Sequence, residues 1–205
     1  MGFEEWTKVE RIGRGSFGTV WKIKREKHGY TQYAAMKEIR IERTGYIYDD
    51  NLFDSPEEYN DALVKKILAE VETMNKVKGH TNIVNYEDHD AERMADGSWV
   101  IRIRMELLTP LKQYIRERVL TVDEVLKIGT DLCNALVVCE KHGILHRDVK
   151  LDNVFVNDSG DYKLGDFGTA KVLSAVQTRY TSAGTMAYMA PEVLLSEPYD
   201  ARADQ

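Results

Sequence analysis

The chain has 205 residues, the size of one large domain or two small ones. It carries 28 Lys and Arg against 34 Asp and Glu, a net charge of −6, which argues against a protein built to grip nucleic acid, because neutralising phosphates needs a basic surface. Apolar residues make up 43%, enough for a packed core and against disorder throughout, and no apolar run exceeds five residues, so no segment reads as a bilayer span.

The start, Met1 to Trp6, is acidic and lacks the cationic and apolar regions of a secretory signal. Residues 6–13, 18–25 and 32–39 alternate in part (Val20, Trp21 and Ile23, then Tyr33, Ala35, Lys37 and Ile39), with turn residues at Gly13 to Gly18 and at Lys27-His28-Gly29. The pattern predicts three strands. Residues 40–54 are polar and rich in Tyr and Asp, and read as a loop that is long for a join between strand and helix. Ser55-Pro56-Glu57-Glu58 then predicts a helix start: Ser55 can cap, Pro56 suits the first turn and Glu58 completes a capping box. Tyr59, Leu63, Ile67, Val71 and Met74 follow at helical spacing, so a helix with one apolar stripe is expected over 56–78.

Residues 83–90 and 98–106 read as a hairpin around Asp96-Gly97. The pattern changes at Thr109-Pro110, the best candidate hinge. A second capping box, Thr121 with Glu124, opens a helix to about residue 142, apolar at Val125, Ile128, Leu132, Ala135, Leu136 and Cys139. Cys133 and Cys139 are too few for a disulfide framework and lack zinc-ligand partners at usable spacing, so they read as two reduced thiols of a cytoplasmic protein. Short segments follow at 154–156 and 162–164, joined by the turn Asn157 to Gly160. Periodicity fades from residue 166 onward.

Five short motifs carry chemistry. Gly13, Gly15 and Gly18 form a Gly-x-Gly-x-x-Gly run. Alone, that run fits a tight structural turn as well as a phosphate cradle. A dinucleotide fingerprint needs a helix after the glycines, and a Walker loop needs Gly-Lys-Ser/Thr; neither is present. A glycine loop between two strands is instead a flap that can lay backbone N–H groups over phosphates. The second motif is Ala34-Ala35-Met36-Lys37. Its lysine reads either as a surface residue or as a buried cation paired with Glu70. The third is His146 to Asn153, the fourth Asp166-Phe167-Gly168 and the fifth Ala190-Pro191-Glu192. Each is uninformative by itself; their order and separation are not.

In that order the motifs resemble the eukaryotic-type protein kinase catalytic domain, from about Trp6 to the last residue. The resemblance implies an α+β, two-lobed fold: an antiparallel β-sheet N-lobe with one helix over 1–108, and a mainly helical, incomplete C-lobe over 109–205. It implies ATP and Mg2+ as cofactors, and phosphoryl transfer to Ser/Thr hydroxyls of protein substrates. Gly13, Gly15 and Gly18 would cover the phosphates. Lys37 would hold the α- and β-phosphates and pair with Glu70, chosen over Glu72 because of its spacing to Gly79-His80-Thr81-Asn82-Ile83. Asp148 would take or orient the substrate hydroxyl proton, Lys150 would steady the γ-phosphate, and Asn153 and Asp166 would bind magnesium. Met105 resembles the gatekeeper. Backbone groups of Glu106 and Leu108 would meet the adenine edge, with Val20 and Ala35 above the ring and Phe155 below.

Lys150 and the stretch Gly184 to Glu192 resemble the serine/threonine branch, with Thr185 bracing Asp148 and Lys150. Arg147 would hold a phosphate on the segment that offers Thr178, Tyr180, Thr181 and Ser182; Thr178, Thr181 and Ser182 are the candidates for activating phosphorylation. Asp204 resembles an aspartate that bonds backbone N–H groups near the catalytic loop. The resemblance further implies a domain that continues past Gln205, a partner arginine for Glu192 there, weak activity for residues 1–205 alone, and an uncovered apolar face on the helix over 122–142. Two other readings are a catalytically inactive nucleotide-binding or scaffolding module, and a metabolite or antibiotic phosphotransferase. The Ala190-Pro191-Glu192 segment speaks against the latter, since it serves protein-substrate docking in the resembled family.

Overall fold

The alternation of the first third becomes a five-stranded antiparallel sheet. Its strands are β1 (Thr7–Gly15), β2 (Gly18–Lys27), β3 (Tyr30–Ile41), β4 (Tyr86–Arg93) and β5 (Trp99–Met105), in the order β1-β2-β3-β5-β4. His28 and Gly29, at φ +52° and +81°, make the two-residue turn between β2 and β3; two positive φ values match the right-handed twist of the flanking strands. This computed structural model describes residues 3–15, 18–43, 55–116, 118–166, 188–195, 197–198 and 200–204. Residues 44–54, Phe167, Gly168, Thr178, Tyr180, Thr181, Ser182, Gly184 and Thr185 lie outside the described residues.

One face of the sheet receives helix α1 (Pro56–Lys76), whose first turn is capped by Ser55, with the Glu58 N–H donating to Ser55 Oγ at 3.1 Å. Leu63, Val64, Ile67, Val71 and Met74 of α1 are buried with Ile39 and Ile41 of β3 and Ile101 and Ile103 of β5. The opposite face buries Ile23, Ala34 and Met36 under Phe3, Trp6 and Trp21. There the Trp6 ring lies between two guanidinium groups, 4.9 Å from Arg25 and 4.6 Å from Arg104, a cation–π sandwich that fastens the residues before β1 to the sheet.

Two expectations shift. The strand expected from residue 83 begins at Tyr86. Residues 82–85 leave the sheet because another strand claims their backbone: Val84 N–H donates to the Leu164 carbonyl at 2.9 Å, and Leu164 N–H to the Asn82 carbonyl at 2.9 Å. Thr109-Pro110, read as a hinge, is itself a short strand, β6, in a second antiparallel sheet ordered β6-β7-β8, with β7 (Val154–Val156) and β8 (Tyr162–Leu164). Proline suits that edge position because it has no N–H to offer a further neighbour.

After α2 (Leu111–Tyr114), helix α3 (Val122–Lys141) starts at a complete capping box: Glu124 N–H donates to Thr121 Oγ1 at 3.2 Å and Thr121 N–H to Glu124 Oε2 at 2.8 Å. Its Ala135 and Cys139 join the main core, and Asp131 accepts the Tyr162 N–H at 2.9 Å, pinning α3 to β8. Val122, Val125, Leu126, Cys133 and Val137 of the same helix are exposed, as expected for an uncovered apolar face. Among the described residues no helix is long and apolar enough to cross a membrane.

Candidate active site

Strand pairing assembles the upper wall. In the antiparallel sheet Val20 stands opposite Lys37, and Ala35 opposite Met105, so all four project from one face. Gly13 pairs with Val20, and Gly15 with Gly18. Gly18 has φ +152°, and a Cβ there would lie 2.4 Å from the Glu38 carbonyl oxygen. Only glycine lets the start of β2 lie that close to β3, so this one of the three glycines is required by the fold itself.

Lys37 is 8% exposed, and a buried ammonium needs an opposite charge. Its Nζ bonds Asp166 Oδ1. Burial works to raise the Asp166 carboxyl, but the Lys37 ammonium bonded to it, with Lys150 nearby, leaves it below its ordinary value. Glu70 lies on α1 between the buried Ile67 and Met74 and is half-buried, whereas Glu72 is exposed and accepts from Asn75 at 3.3 Å. No ion pair joins Glu70 to Lys37; among the described residues the carboxylate paired with that lysine is Asp166. The lysine's demand for a counter-charge is already met there, so nothing forces α1 closer.

The segment 146–153 forms the lower wall. Asn153, 5% exposed, donates through Nδ2 to the Asp148 carbonyl at 2.8 Å and to Asp148 Oδ2 at 2.8 Å. Lys150 Nζ reaches the same Oδ2 at 2.7 Å. Asp148 Oδ1 is buried without a hydrogen-bond partner among the described residues, an acceptor that they leave unfilled. The Gly165 N–H donates to the Asn153 carbonyl at 2.9 Å. One chain of bonds therefore runs from Asp148 through Asn153 and Gly165 to Asp166 and Lys37.

Arg147 and Asp166 adopt positive φ, +65° and +63°, a strain that persists only where the surroundings enforce it. The enforcement is visible. Asp204 accepts the N–H groups of His146 and Arg147, as the resemblance implied for it. His146, 1% exposed, donates from Nε2 to the Gly165 carbonyl at 2.9 Å, and its Nδ1 accepts the Asp148 N–H at 3.3 Å. One ring nitrogen donates and the other accepts, which is the neutral imidazole; burial accordingly pushes the His146 pKa below its usual value. The Arg147 side chain is exposed, with no partner among the described residues.

Met105, Glu106, Leu108 and Phe155 are all half-buried. Glu106 N–H is spent on the Asn85 carbonyl at 3.0 Å. Among the described residues no bond uses the Glu106 carbonyl or the backbone groups of Leu108. Gly165 packs so tightly that a Cβ would come within 2.6 Å of Val84 and 3.0 Å of Phe155. Sequence reasoning missed Lys163. It is 8% exposed, and its Nζ pairs with Glu106 Oε1 at 2.8 Å, the oxygen that also accepts Asn85 N–H at 2.5 Å. A lysine between Tyr162 and Leu164 in a three-residue apolar strand was the available signal. A cavity of about 260 Å³ opens beside Asp148, lined in part by Leu145, Arg147, Tyr188, Met189 and Val193.

The donor set suits a hard cation. Asn153 has its Nδ2 turned to Asp148, which leaves its Oδ1 as the remaining side-chain acceptor, and its backbone carbonyl is bonded to the residue before Asp166. Among the described residues no three His, Cys, Asp or Glu side chains cluster as a metal cage. Magnesium fits such a site, because it takes one or two protein oxygens and completes its shell with phosphate and water.

Glycines at the paired ends of β1 and β2, the buried Lys37, and the loop of Asp148, Lys150 and Asn153 linked to Asp166 follow the order of the five motifs. The chain matches the family described as protein kinase domain over residues 6–205. It is 32% identical over 228 residues to "G2-specific protein kinase fin1" of Schizosaccharomyces pombe, covering 98% of this chain and 29% of that protein. It is 33% identical over 208 residues to "Probable serine/threonine-protein kinase nek2" of Dictyostelium discoideum, covering 98% and 46%, and 30% identical over 205 residues to "Serine/threonine-protein kinase Nek1" of Mus musculus, covering 98% and 15%. The chain thus spans less than half the length of these relatives. It belongs to the protein kinase domain family.

Proposed function

We propose that this chain transfers the γ-phosphoryl group of ATP, with Mg2+, to Ser or Thr hydroxyls of protein substrates in the cytoplasm. The observation that carries the reading is the orphaned Asp148 Oδ1, buried beside Lys150 and Asn153: an acceptor waiting for a donor is what a hydroxyl-activating base requires. Residues 1–108 act as the nucleotide-covering lobe and 109–205 as the lobe with the catalytic loop. Gly13, Gly15 and Gly18 lie over the phosphates, Val20, Ala35, Met105 and Phe155 hold the adenine, and the free backbone groups of Glu106 and Leu108 read its edge. Asp148 receives the hydroxyl proton as the oxygen attacks phosphorus. Lys150 balances charge on the transferred group, and Asn153 and Asp166 supply the cation's protein oxygens. The bound cation would neutralise phosphate charge as the transfer proceeds.

Catalysis in this family needs the Lys37–Glu70 pair in place, so the Lys37–Asp166 pairing marks a resting arrangement, and α1 moves when nucleotide draws Asp166 away. Arg147, exposed beside the loop, is the receptor for a phosphate on Thr178, Thr181 or Ser182. The test is transfer of labelled phosphate to a Ser/Thr peptide, with Asp148→Asn as control. Losing a positioned base lowers the rate by about 10²–10⁴-fold. Equal rates for the two proteins would remove Asp148 from the mechanism, and no transfer by the unaltered chain, at any Mg2+ concentration, would sink the reading.

A further inference from the structure

The exit of β3 and the start of α1 are fastened together by groups that no step of phosphoryl transfer uses. Asn60 is 3% exposed. Its Nδ2 donates to the carbonyl of Glu42 at 3.2 Å and to that of Arg43 at 3.3 Å. Arg43 Nε reaches Glu57 Oε1 at 2.8 Å, and Trp99 Nε1, at the start of β5, donates to Asp61 Oδ1 at 2.9 Å. Positions 57, 60 and 61 share one side of the helix, being three and four residues apart. One end of α1 is therefore tied to two strands by directional bonds. Toward the other end, Ile67, Val71 and Met74 pack into the core, a contact with no preferred direction, and Glu70 stops short of Lys37.

We propose that Asn60 is a positioning residue: it fixes the first turns of α1 at the end of β3 and thereby sets whether Glu70 can reach Lys37. This rests on the kinase reading above, in which those two side chains meet during turnover. Asn60 and Glu70 are ten residues apart, about 15 Å along the helix axis, so a tilt of about 10° at the tied end carries Glu70 about 3 Å. Displacements of that size decide whether an ion pair exists and whether a reacting group is in line. The same fastening explains how a long strand-to-helix join is tolerated. Added length costs little in closure entropy, and the bonds from Asn60 to Glu42 and Arg43 hold the start of α1 at the end of β3 directly.

The experiment is a pair of measurements on the full chain. Carbodiimide treatment with ATP and Mg2+, followed by peptide mass spectrometry, reads the ratio of Lys37–Glu70 to Lys37–Asp166 amide cross-links and needs no turnover. Asn60→Leu keeps the branching and heavy-atom count and removes both bonds; the ratio falls by about threefold or more. Glu57→Gln, at the surface, breaks the Arg43 tie without emptying the core and lowers the ratio in the same sense, which serves if Asn60→Leu fails to fold. In peptide phosphorylation, Asn60→Leu lowers kcat by about tenfold or more with the peptide KM unchanged, and no further loss occurs in a Glu70→Gln background, because both changes act on one pair. An unchanged cross-link ratio in both variants, or losses that multiply with that of Glu70→Gln, overturns the role of Asn60. Absence of phosphate transfer by the unaltered chain overturns the kinase reading instead, and the cross-link ratio still decides the positioning claim.

Discussion

Asp204 stands 58 positions after His146 and accepts its backbone N–H at 2.6 Å, and that of Arg147 at 2.7 Å. A carboxylate that takes two neighbouring N–H groups holds the strained Arg147 backbone from outside the loop. Asp204→Ala removes both charge-assisted bonds and lowers stability by about 1.5–3 kcal/mol. Asp204→Asn keeps one acceptor and costs less. Urea unfolding of the three proteins checks the order; equal midpoints would mean that the loop holds its own shape.

The buried, neutral His146 gives stability a dependence on acid. Burial depresses its folded pKa below the ordinary 6.5. The unfolded chain then binds a proton, as pH falls through about 6.5, that the folded chain refuses, so acid favours unfolding. Stability contributed by neutral His146 is complete above the unfolded pKa and is lost as pH falls toward the folded one. His146→Gln removes this titration. The expected outcome is a melting temperature that declines less from pH 7 to pH 5 in the variant than in the unaltered chain; parallel declines would count against it.

Lys163 and Glu106 form a half-desolvated pair, with side chains 10% and 23% exposed. Removing only the cation strands a carboxylate and costs about 3–5 kcal/mol, whereas replacing both partners by neutral groups of similar shape recovers most of the loss. Thermal melts of Lys163→Met and of Lys163→Met with Glu106→Gln should therefore rank the double variant above the single one.

Gly165 has no room for a methyl group. Gly165→Ala drives a Cβ against Val84, itself 5% exposed, and overpacking of this kind costs about 1–3 kcal/mol. Adding Val84→Ala relieves the contact, and denaturant midpoints should show the partial recovery.

Cys139 is buried, and burial foremost, with Asp204 second, pushes its thiol up to about 12, while Cys133 is exposed. The thiolate is the reactive form. Iodoacetamide on the folded protein at pH 8 should label Cys133 alone; labelling of both at equal rates would show that α3 does not pack as described.

The fold was legible where local chemistry decides it. Ser55 and Thr121 announced their helices because caps act within four residues of chain, and the Gly13 to Gly18 flap was readable from the strand-like alternation that begins at Thr19. Four candidate site groups, Lys37, Asp148, Asn153 and Asp166, are legible through motif order, and the structure joins them through hydrogen bonds. Three features were not legible. Strand β4 begins late because residues 82–85 bond to β8, about eighty positions downstream, and no local pattern encodes that choice. Lys163 has no sequence neighbour that announces its partner, Glu106, which lies 57 positions away. The pairing of Lys37 with Asp166 in place of Glu70 is a choice between two carboxylates, set by the position of a whole helix.

The placement of the indoles has a practical consequence. Trp6 and Trp21 cover one face of the five-stranded sheet, Trp99 begins β5, and the chain has no tryptophan beyond it. Emission excited at long ultraviolet wavelengths therefore reports only on the five-stranded sheet and what packs on it. Loosening confined to α3 or to the 146–153 loop would leave that signal silent, and a fluorophore placed on Cys133 would be needed to see it.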